Sequence, residues 1–522
     1  MEKIDKKTWY FILGALVFIL LPGINHGIWR PDEPYMAGIC SEMARTGDFV
    51  VPRLNGVPFL EKPPLYYWVA ASFGKIFGTT DDLPFRLAST FFSILTLVTI
   101  FFGIRKRTSD ITAAMACLVL STLWQFFDQS RWIIVDIALV FGVALSMIAW
   151  FRITREGKWT DSMLLGTGAA AAFMAKGFVG PAMIASAILV DIIIKRDFKL
   201  IIRSKPHIAL IFFLLPIGAW TALLYNSGGW SFVREVIVVN NIMRFTGAPE
   251  GAALGHMHGT FYYLPKIPSE MIPWTLVGIP AFIASFKNFR NDSYLPWFIG
   301  PLLLLSASSA KRGLYLAPLG PAIACMIASW LSSPPQKKWE ELMIKITWAL
   351  TAAAALVPLA GLFMGVPFWG IIMGIISIGS LVYIYRFSGL KMSNLALCIS
   401  VCMVMASAMF VFYIYRQPGE DFLPFAEKAL SVSHGNEIIL LADDEVFEGV
   451  MPMITGRHFR NVPKPDHITE EGYYIWADSR KEDITRKIRK LYKVDVVLDK
   501  RIGRKNARLA YIIPESPVKT VK

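Results

Sequence analysis

Five short polar stretches interrupt an apolar chain, and each carries side chains suited to chemistry. Asp32 and Glu33 stand between Pro31 and Pro34, a carboxylate pair on a stiff turn. Glu61-Lys62 precedes Pro63-Pro64, and the residue before a proline is pushed out of helical geometry. Lys62 therefore sits on a rigid bend that can present a point charge to an anion. Asp136 lies at the start of the apolar run "RWIIVDIALV", where an acid is costly and by default a functional candidate; a structural ion pair with Arg131 is the competing reading. His256 and His258 have a spacing that serves metals or is incidental. Lys311 and Arg312 precede Tyr315 in "SSAKRGLYLAP", basic residues on the side that the charge rule for loops disfavours, which points to an anionic ligand such as a lipid phosphate. Together these residues could do acid-base work on an acceptor and stabilise charge on a phosphate.

Positioning them requires membrane helices. The 522 residues are 54% hydrophobic with a mean hydropathy of +0.48, and the apolar residues gather in uncharged runs such as 111–127 and 346–385. The pattern predicts about 13 transmembrane helices, at 9–25, 86–104, 111–127, 133–151, 162–175, 178–194, 208–225, 270–286, 294–308, 314–332, 342–363, 367–385 and 394–415. The N-terminal segment reads as an uncleaved first span with its lysines inside. The net charge of +14 comes from short basic clusters between the apolar runs, all on one side in this count. That placement argues for membrane lipids as neighbours and against a nucleic-acid partner. Splitting 162–194 at "AKGFVGP" keeps both basic flanks inside and puts Lys176 at the outer turn.

The first outer loop, 26–85, is too rich in aromatic residues and proline to be filler. It predicts amphipathic helices near 33–46 and 64–77, lying at the membrane surface with an N-capped start at Asp32-Glu33. From about 416 the composition changes, and 19 basic residues nearly balance 17 acidic ones. Strands are expected at 437–442, 473–477, 494–498 and 509–514, with a helix over 479–492. The expected division is a transmembrane catalytic domain over 1–415 and a small soluble α/β domain over 416–522. Four of the five cysteines lie in apolar runs, Cys40 alone in the loop, and no CxxC is present, so neither a disulfide framework nor a zinc knuckle is implied.

The stretch "RPDEPYMAGICSEMARTGDFVVPRLNGVPFLEKPPLYYW" closely resembles the first outer loop of the family-39, protein-mannosyltransferase-like glycosyltransferases, and the lipid A aminoarabinose transferase branch in particular. The likeness continues through "AKGFVGP", "RFTGAPEGAALGHMHGTFYYLP" and "SAKRGLYLAPLGPAIA", covering about residues 8–332. It implies a GT-C fold and a polyprenyl-phosphate sugar donor, with an acceptor that is lipid A, another glycolipid or a protein. It also implies a bacterial inner membrane location with the site on the outer face. Asp32 matches the family's presumed catalytic carboxylate, Lys62 its phosphate-contacting lysine, Asp136 its second acid and Tyr315 a tyrosine near the lipid phosphate. Glu61 and His256 match a candidate pair for a divalent metal; no cofactor follows from the residues alone. Glu33, Tyr35, Arg53, Tyr66, Arg244, Lys311 and Arg312 complete the expected substrate-binding set. "SAKRG" departs from the family's usual Ser-Lys-x-Lys-Leu-Pro run, which leaves sugar and acceptor open.

The expected reaction is an inverting glycosyl transfer. Lys62, helped by Lys311, Arg312 or Arg244, would hold the phosphate leaving group, Asp32 would orient or deprotonate the acceptor, and Asp136 would hold Lys62 or the acceptor. The alternative from another class is a transporter or flippase for a lipid-linked sugar, which would place ionisable residues near the middle of several spans.

Overall fold

The structure is a computed structural model and describes residues 5–28, 31–243, 258–308, 311–386, 393–441, 445–478 and 484–514. Long apolar helices form the body. Among the described residues seven are long and apolar enough to cross a membrane, or eight if the pair Thr260–Glu270 and Thr275–Lys287, bent by 119°, forms one span rather than a re-entrant loop. This falls short of thirteen because several expected spans form short or broken helices. Residues 111–127 divide into α5 (Asp110–Thr122) and α6 (Trp124–Gln129), with Leu123 extended between them. The pair at "AKGFVGP" forms as two helices, α8 (Trp159–Lys176) and α9 (Val179–Lys195), parted at Gly177 with φ 71°. The helix Tyr294–Ala307 is also short.

The first loop contains α2 (Glu33–Thr46), a hairpin of β1 (Arg53–Leu54) and β2 (Val57–Pro58), and α3 (Leu65–Phe77). Asn55 and Gly56 both take positive φ, 52° and 82°, as a two-residue hairpin turn needs. The helix α2 is enclosed: every residue from Glu33 to Ala44 is buried. The cover on one side is the helix Glu445–Thr455 from the C-terminal part.

That C-terminal part is a five-stranded sheet in the order β4-β3-β5-β7-β6, with β3 (Ile438–Leu441) parallel to β4 (Asn461–Val462) and β5 (Gly472–Asp478). A long antiparallel hairpin of β6 (Tyr492–Ile502) and β7 (Lys505–Pro514) completes it. All of β3 is buried, because side chains alternate and both faces are covered. Ile439 and Leu441 join Trp476, Ile484 and Ile488 in a separate small core. Ile438 and Leu440 face the other way, and with Phe447 and Val450 they belong to the main core. The sheet is thus welded onto the body through the Glu445–Thr455 helix. The expected helix over 479–492 is present as Ile484–Arg489; residues 479–483 lie outside the described residues.

Candidate functional site

Asp32 occupies the N-cap position of α2, yet its side chain makes no capping bond. An Oδ2–Nη1 contact of 3.2 Å ties it to Arg312 instead, with both side chains partly exposed. Arg312 opens the 3-10 turn Gly313–Leu319, which carries Tyr315. Burial alone would ease the proton off Arg312, but the charge of Asp32, with Tyr315 and Asp136 behind it, holds its pKa above the usual value. The Tyr315 ring lies 4.4 Å from the Lys176 ammonium, a cation–π contact. Lys176 in turn sits 2.5 Å from Asp136. Helix ends explain this last pair. Asp136 is the first residue of α7 (Asp136–Ile153) and Lys176 the last of α8, so each charge faces the helix terminus whose partial charge favours it.

A second branch reaches the same place from the Glu61-Lys62 bend. The Lys62 ammonium lies 3.3 Å from Glu61 and 3.3 Å from the Tyr35 hydroxyl, and 5.6 Å from that ring's centre. Burial lifts the Tyr35 phenol well above its usual range, with the charges of Asp32, Glu61 and Glu445 adding to the effect, so Tyr35 accepts from Lys62 as a neutral phenol. Asp32, Tyr35, Lys62, Asp136, Arg312 and Tyr315, widely separated in sequence, thereby meet at one end of the bundle.

Other candidates are placed elsewhere. Glu33 is 1% exposed and spent on the scaffold: its Oε1 accepts from Arg86 at 3.3 Å and from the Ile133 amide at 3.1 Å. Tyr66 is fully buried, its hydroxyl within hydrogen-bonding distance of the Ser89 hydroxyl at 2.8 Å and of the Phe85 and Trp132 carbonyls at 3.1 and 3.3 Å. Arg53 braces the hairpin through Asp48 and the Gly56 carbonyl. Lys311 is 3% exposed and donates to the carbonyls of Ser308 and His258, closing the end of the helix Tyr294–Ala307 rather than facing a ligand. Arg131 does not pair with Asp136; it stacks on Phe127 and donates to the Ile19 carbonyl at 2.9 Å. Asp136 holds Lys176, not Lys62. Arg244 and His256 lie outside the described residues. Glu61 faces an ammonium, and no group of three or more His, Cys, Asp or Glu among the described residues could hold a metal ion. Among the described residues, then, the donors do not build a metal site.

Sequence reasoning left Lys176 out of the site, although it stands in "AKGFVGP"; the signal was a lysine at an outer turn between two apolar helices. It also gave no site role to the C-terminal part, which grips the first loop. Gly38 and Gly449 cross so closely that a Cβ on Gly449 would lie 1.9 Å from the Pro34 carbonyl oxygen. Phe422 donates to the Ile28 carbonyl at 3.0 Å, and Asp421 accepts from the Ile28 amide at 3.1 Å. Asn55 bonds Phe459 in both directions at 2.8 Å, and His458 meets Glu42 at 3.2 Å.

The profile of the dolichyl-phosphate-mannose-protein mannosyltransferase family matches residues 61–221. Over 340 residues the chain is 27% identical to the undecaprenyl phosphate-alpha-4-amino-4-deoxy-L-arabinose arabinosyl transferase of Serratia proteamaculans, covering 62% of this chain and 59% of that one. It is 28% identical over 337 residues to the enzyme of that name, numbered 1, in Pseudomonas fluorescens, covering 61% and 57%. The chain thus aligns with less than two thirds of these relatives' length. The crystal structure of ArnT from Cupriavidus metallidurans bound to undecaprenyl phosphate superposes with a TM-score of 0.76 at 16% identity, over 97% of this chain and 98% of that one. Fold and sequence together make this chain a polytopic membrane protein of the GT-C fold, similar to the aminoarabinose transferase branch.

Proposed function

We propose that the protein is a membrane glycosyltransferase that moves a sugar from a polyprenyl-phosphate donor to an acceptor at the outer face of a bacterial inner membrane. Lipid A or another glycolipid is the acceptor class that the relatives' likeness supports. We further propose a division at residue 415/416, with the C-terminal part as a separate soluble domain. The observation that carries the reading is the convergence of Asp32 with Arg312, Lys62 and Lys176 at one end of an apolar helical body.

In this reading the donor's tail lies in the bilayer and its phosphate reaches Lys62 and Arg312. The bond between the sugar's anomeric carbon and the phosphate oxygen breaks, the leaving phosphate gains charge, and the cations stabilise it where it forms. Arg312 is held by Asp32, so a lipid phosphate competes for the guanidinium that ties up the carboxylate. Donor binding thereby releases Asp32 toward the acceptor. Asp32 takes the proton of an acceptor hydroxyl, or only orients an acceptor phosphate, as the acceptor attacks from the opposite face. Lys176 adds positive potential beneath Tyr315, and Asp136 fixes Lys176.

A transporter would place buried charges near mid-span. Buried carboxylates meet their cations at helix ends instead: Asp136 with Lys176, Asp161 with Arg152, and Asp191 with Lys195. Purified protein with a membrane extract should consume an undecaprenyl-phosphate sugar, and Asp32→Asn should abolish turnover while keeping donor binding. Unchanged turnover in Asp32→Asn would sink the assignment.

A further inference from the structure

Asp32 and Arg312 come from distant parts of the sequence, and one short connector, residues 129–133, is bonded to the chain beside both. At its start Gln129, the last residue of α6, donates from Nε2 to the Leu314 carbonyl at 3.4 Å, inside the 3-10 turn that Arg312 opens and that carries Tyr315. At its end the Ile133 amide donates to Glu33, the neighbour of Asp32, at 3.1 Å. Between these points Thr90 donates to the Ser130 carbonyl at 3.3 Å, and the hydroxyls of Ser89 and Tyr66 lie against the Trp132 carbonyl. The break after α5 aims Gln129. Leu123 is extended there, and the Trp124 amide bonds the Ile272 carbonyl at 3.1 Å instead of the carbonyl four residues back, so α6 leaves the line of α5 and ends at the turn. Gln129 is 1% exposed. Its Nε2 also donates to Gln125 Oε1 at 2.9 Å, while its Oε1 is buried without a partner among the described residues. The Leu314 carbonyl can only accept, which fixes the amide with its nitrogen toward the turn. A half-satisfied buried amide is costly, and an apolar side chain of the same length would pack without that cost. What Gln129 supplies is the donor to Leu314. Lys311 bonds the Ser308 and His258 carbonyls just ahead of the turn, so the chain is held on both sides of Arg312.

We propose that Gln129 is a positioning residue for sugar transfer: by holding the Leu314 carbonyl it sets the turn where the Arg312 guanidinium can meet both Asp32 and the donor phosphate. The inference rests on the glycosyltransferase reading. Gln129 touches no substrate and acts through Arg312. Without its bond the turn shifts, and Arg312 stabilises the growing charge on the leaving phosphate less well.

The test is turnover by the full-length protein in lipid nanodiscs, with membrane extract as acceptor. The probes are undecaprenyl phosphate carrying 4-amino-4-deoxy-L-arabinose or mannose, and the one the wild type consumes is used throughout. Gln129→Met keeps the shape and removes the donor; Gln129→Asn stays polar but pulls the amide back by one methylene. Each should lower turnover by about ten- to a hundredfold, the scale of a reacting group misplaced by about 1 Å. In an Arg312→Lys background, Gln129→Met should add less than about twofold, because its effect runs through the guanidinium. Thr122→Val is the control for lost stability. It strips the acceptor from the buried Trp274 indole at 2.8 Å, away from the turn, and should lower the melting temperature about as much as Gln129→Met while turnover stays within about twofold. Either Gln129 variant folded with wild-type turnover would overturn the proposal and leave the glycosyltransferase reading standing. Full additivity with Arg312→Lys, or an equal loss of turnover in Thr122→Val, would overturn it too. A wild type that consumes neither probe would overturn the reading beneath it and this proposal together.

Discussion

Adding one methyl group at Gly449 tests how far the C-terminal part controls the site. A Cβ there would sit 1.9 Å from the Pro34 oxygen, 2.4 Å from its carbonyl carbon and 2.8 Å from the Tyr35 Cα. All three are backbone atoms, so no rotamer relieves the clash. Ordinary contact begins near 3.4 Å, so the helix Glu445–Thr455 and the first turn of α2 must separate by about 1.5 Å. Pro34 is two residues from Asp32, whose contact with Arg312 is 3.2 Å. A displacement of that size at the base of the Asp32 turn takes the carboxylate out of ion-pair range. Overpacking of this kind costs about 1–3 kcal/mol of stability. Misplacing a reacting group by about 1 Å can cost about 10²-fold in rate. Gly449→Ala should therefore remain folded, melt lower, and turn over an undecaprenyl-phosphate sugar about 10²-fold more slowly. Gly419→Ala, where a Cβ meets nothing within 4 Å, should be silent in both measurements. A Gly449→Ala protein with wild-type turnover would refute the claim that this crossing sets Asp32.

Lys176→Met leaves Asp136, 2% exposed, without its ion-pair partner and should cost about 3–5 kcal/mol; adding Asp136→Asn should recover most of the melting temperature but not the lipid-phosphate affinity. Glu33→Gln removes one of the two carboxylates that face the fully buried Arg86, Asp82 remaining, and should lower thermal stability by less than the Lys176 change does, with little effect on the donor Kd of the surviving folded protein. Tyr67→Phe deletes an unpaired buried hydroxyl and should hold or raise the melting temperature. The same variant should show a pH effect. Burial raises the phenols of Tyr35, Tyr66 and Tyr67 well above 10, so the folded state keeps protons that the unfolded chain releases. Stability should be level below about pH 9 and fall above pH 10, by up to about 1.4 kcal/mol per pH unit per phenol. Tyr67→Phe should make that decline shallower, and an identical slope in both proteins would argue against the buried phenols as its cause.

Residue order alone made much of this protein legible. Long uncharged runs have no other stable home than a bilayer or a very large core, so the helical membrane body followed from hydropathy. The proline-flanked pairs at Asp32 and Lys62 marked stiff turns through local backbone rules that need no tertiary information. The strands of the C-terminal sheet were visible because β-branched and aromatic residues cluster there between breaks. Pairings were not visible. Charge and type are local properties, but which cation meets which anion depends on how helix ends align. Lys176 and Asp136 are 40 residues apart and meet because α7 and α8 run antiparallel. Glu33 and Asp32 are neighbours of the same chemistry, yet one is buried against Arg86 and the other faces Arg312. Only packing decides that, because consecutive residues at the start of a helix point in different directions. Nor could the sequence say that two glycines more than 400 residues apart touch, bringing a distant sheet onto the turn that carries Asp32. Glycine's lack of a side chain leaves no trace in composition; it matters only where two backbones need the space.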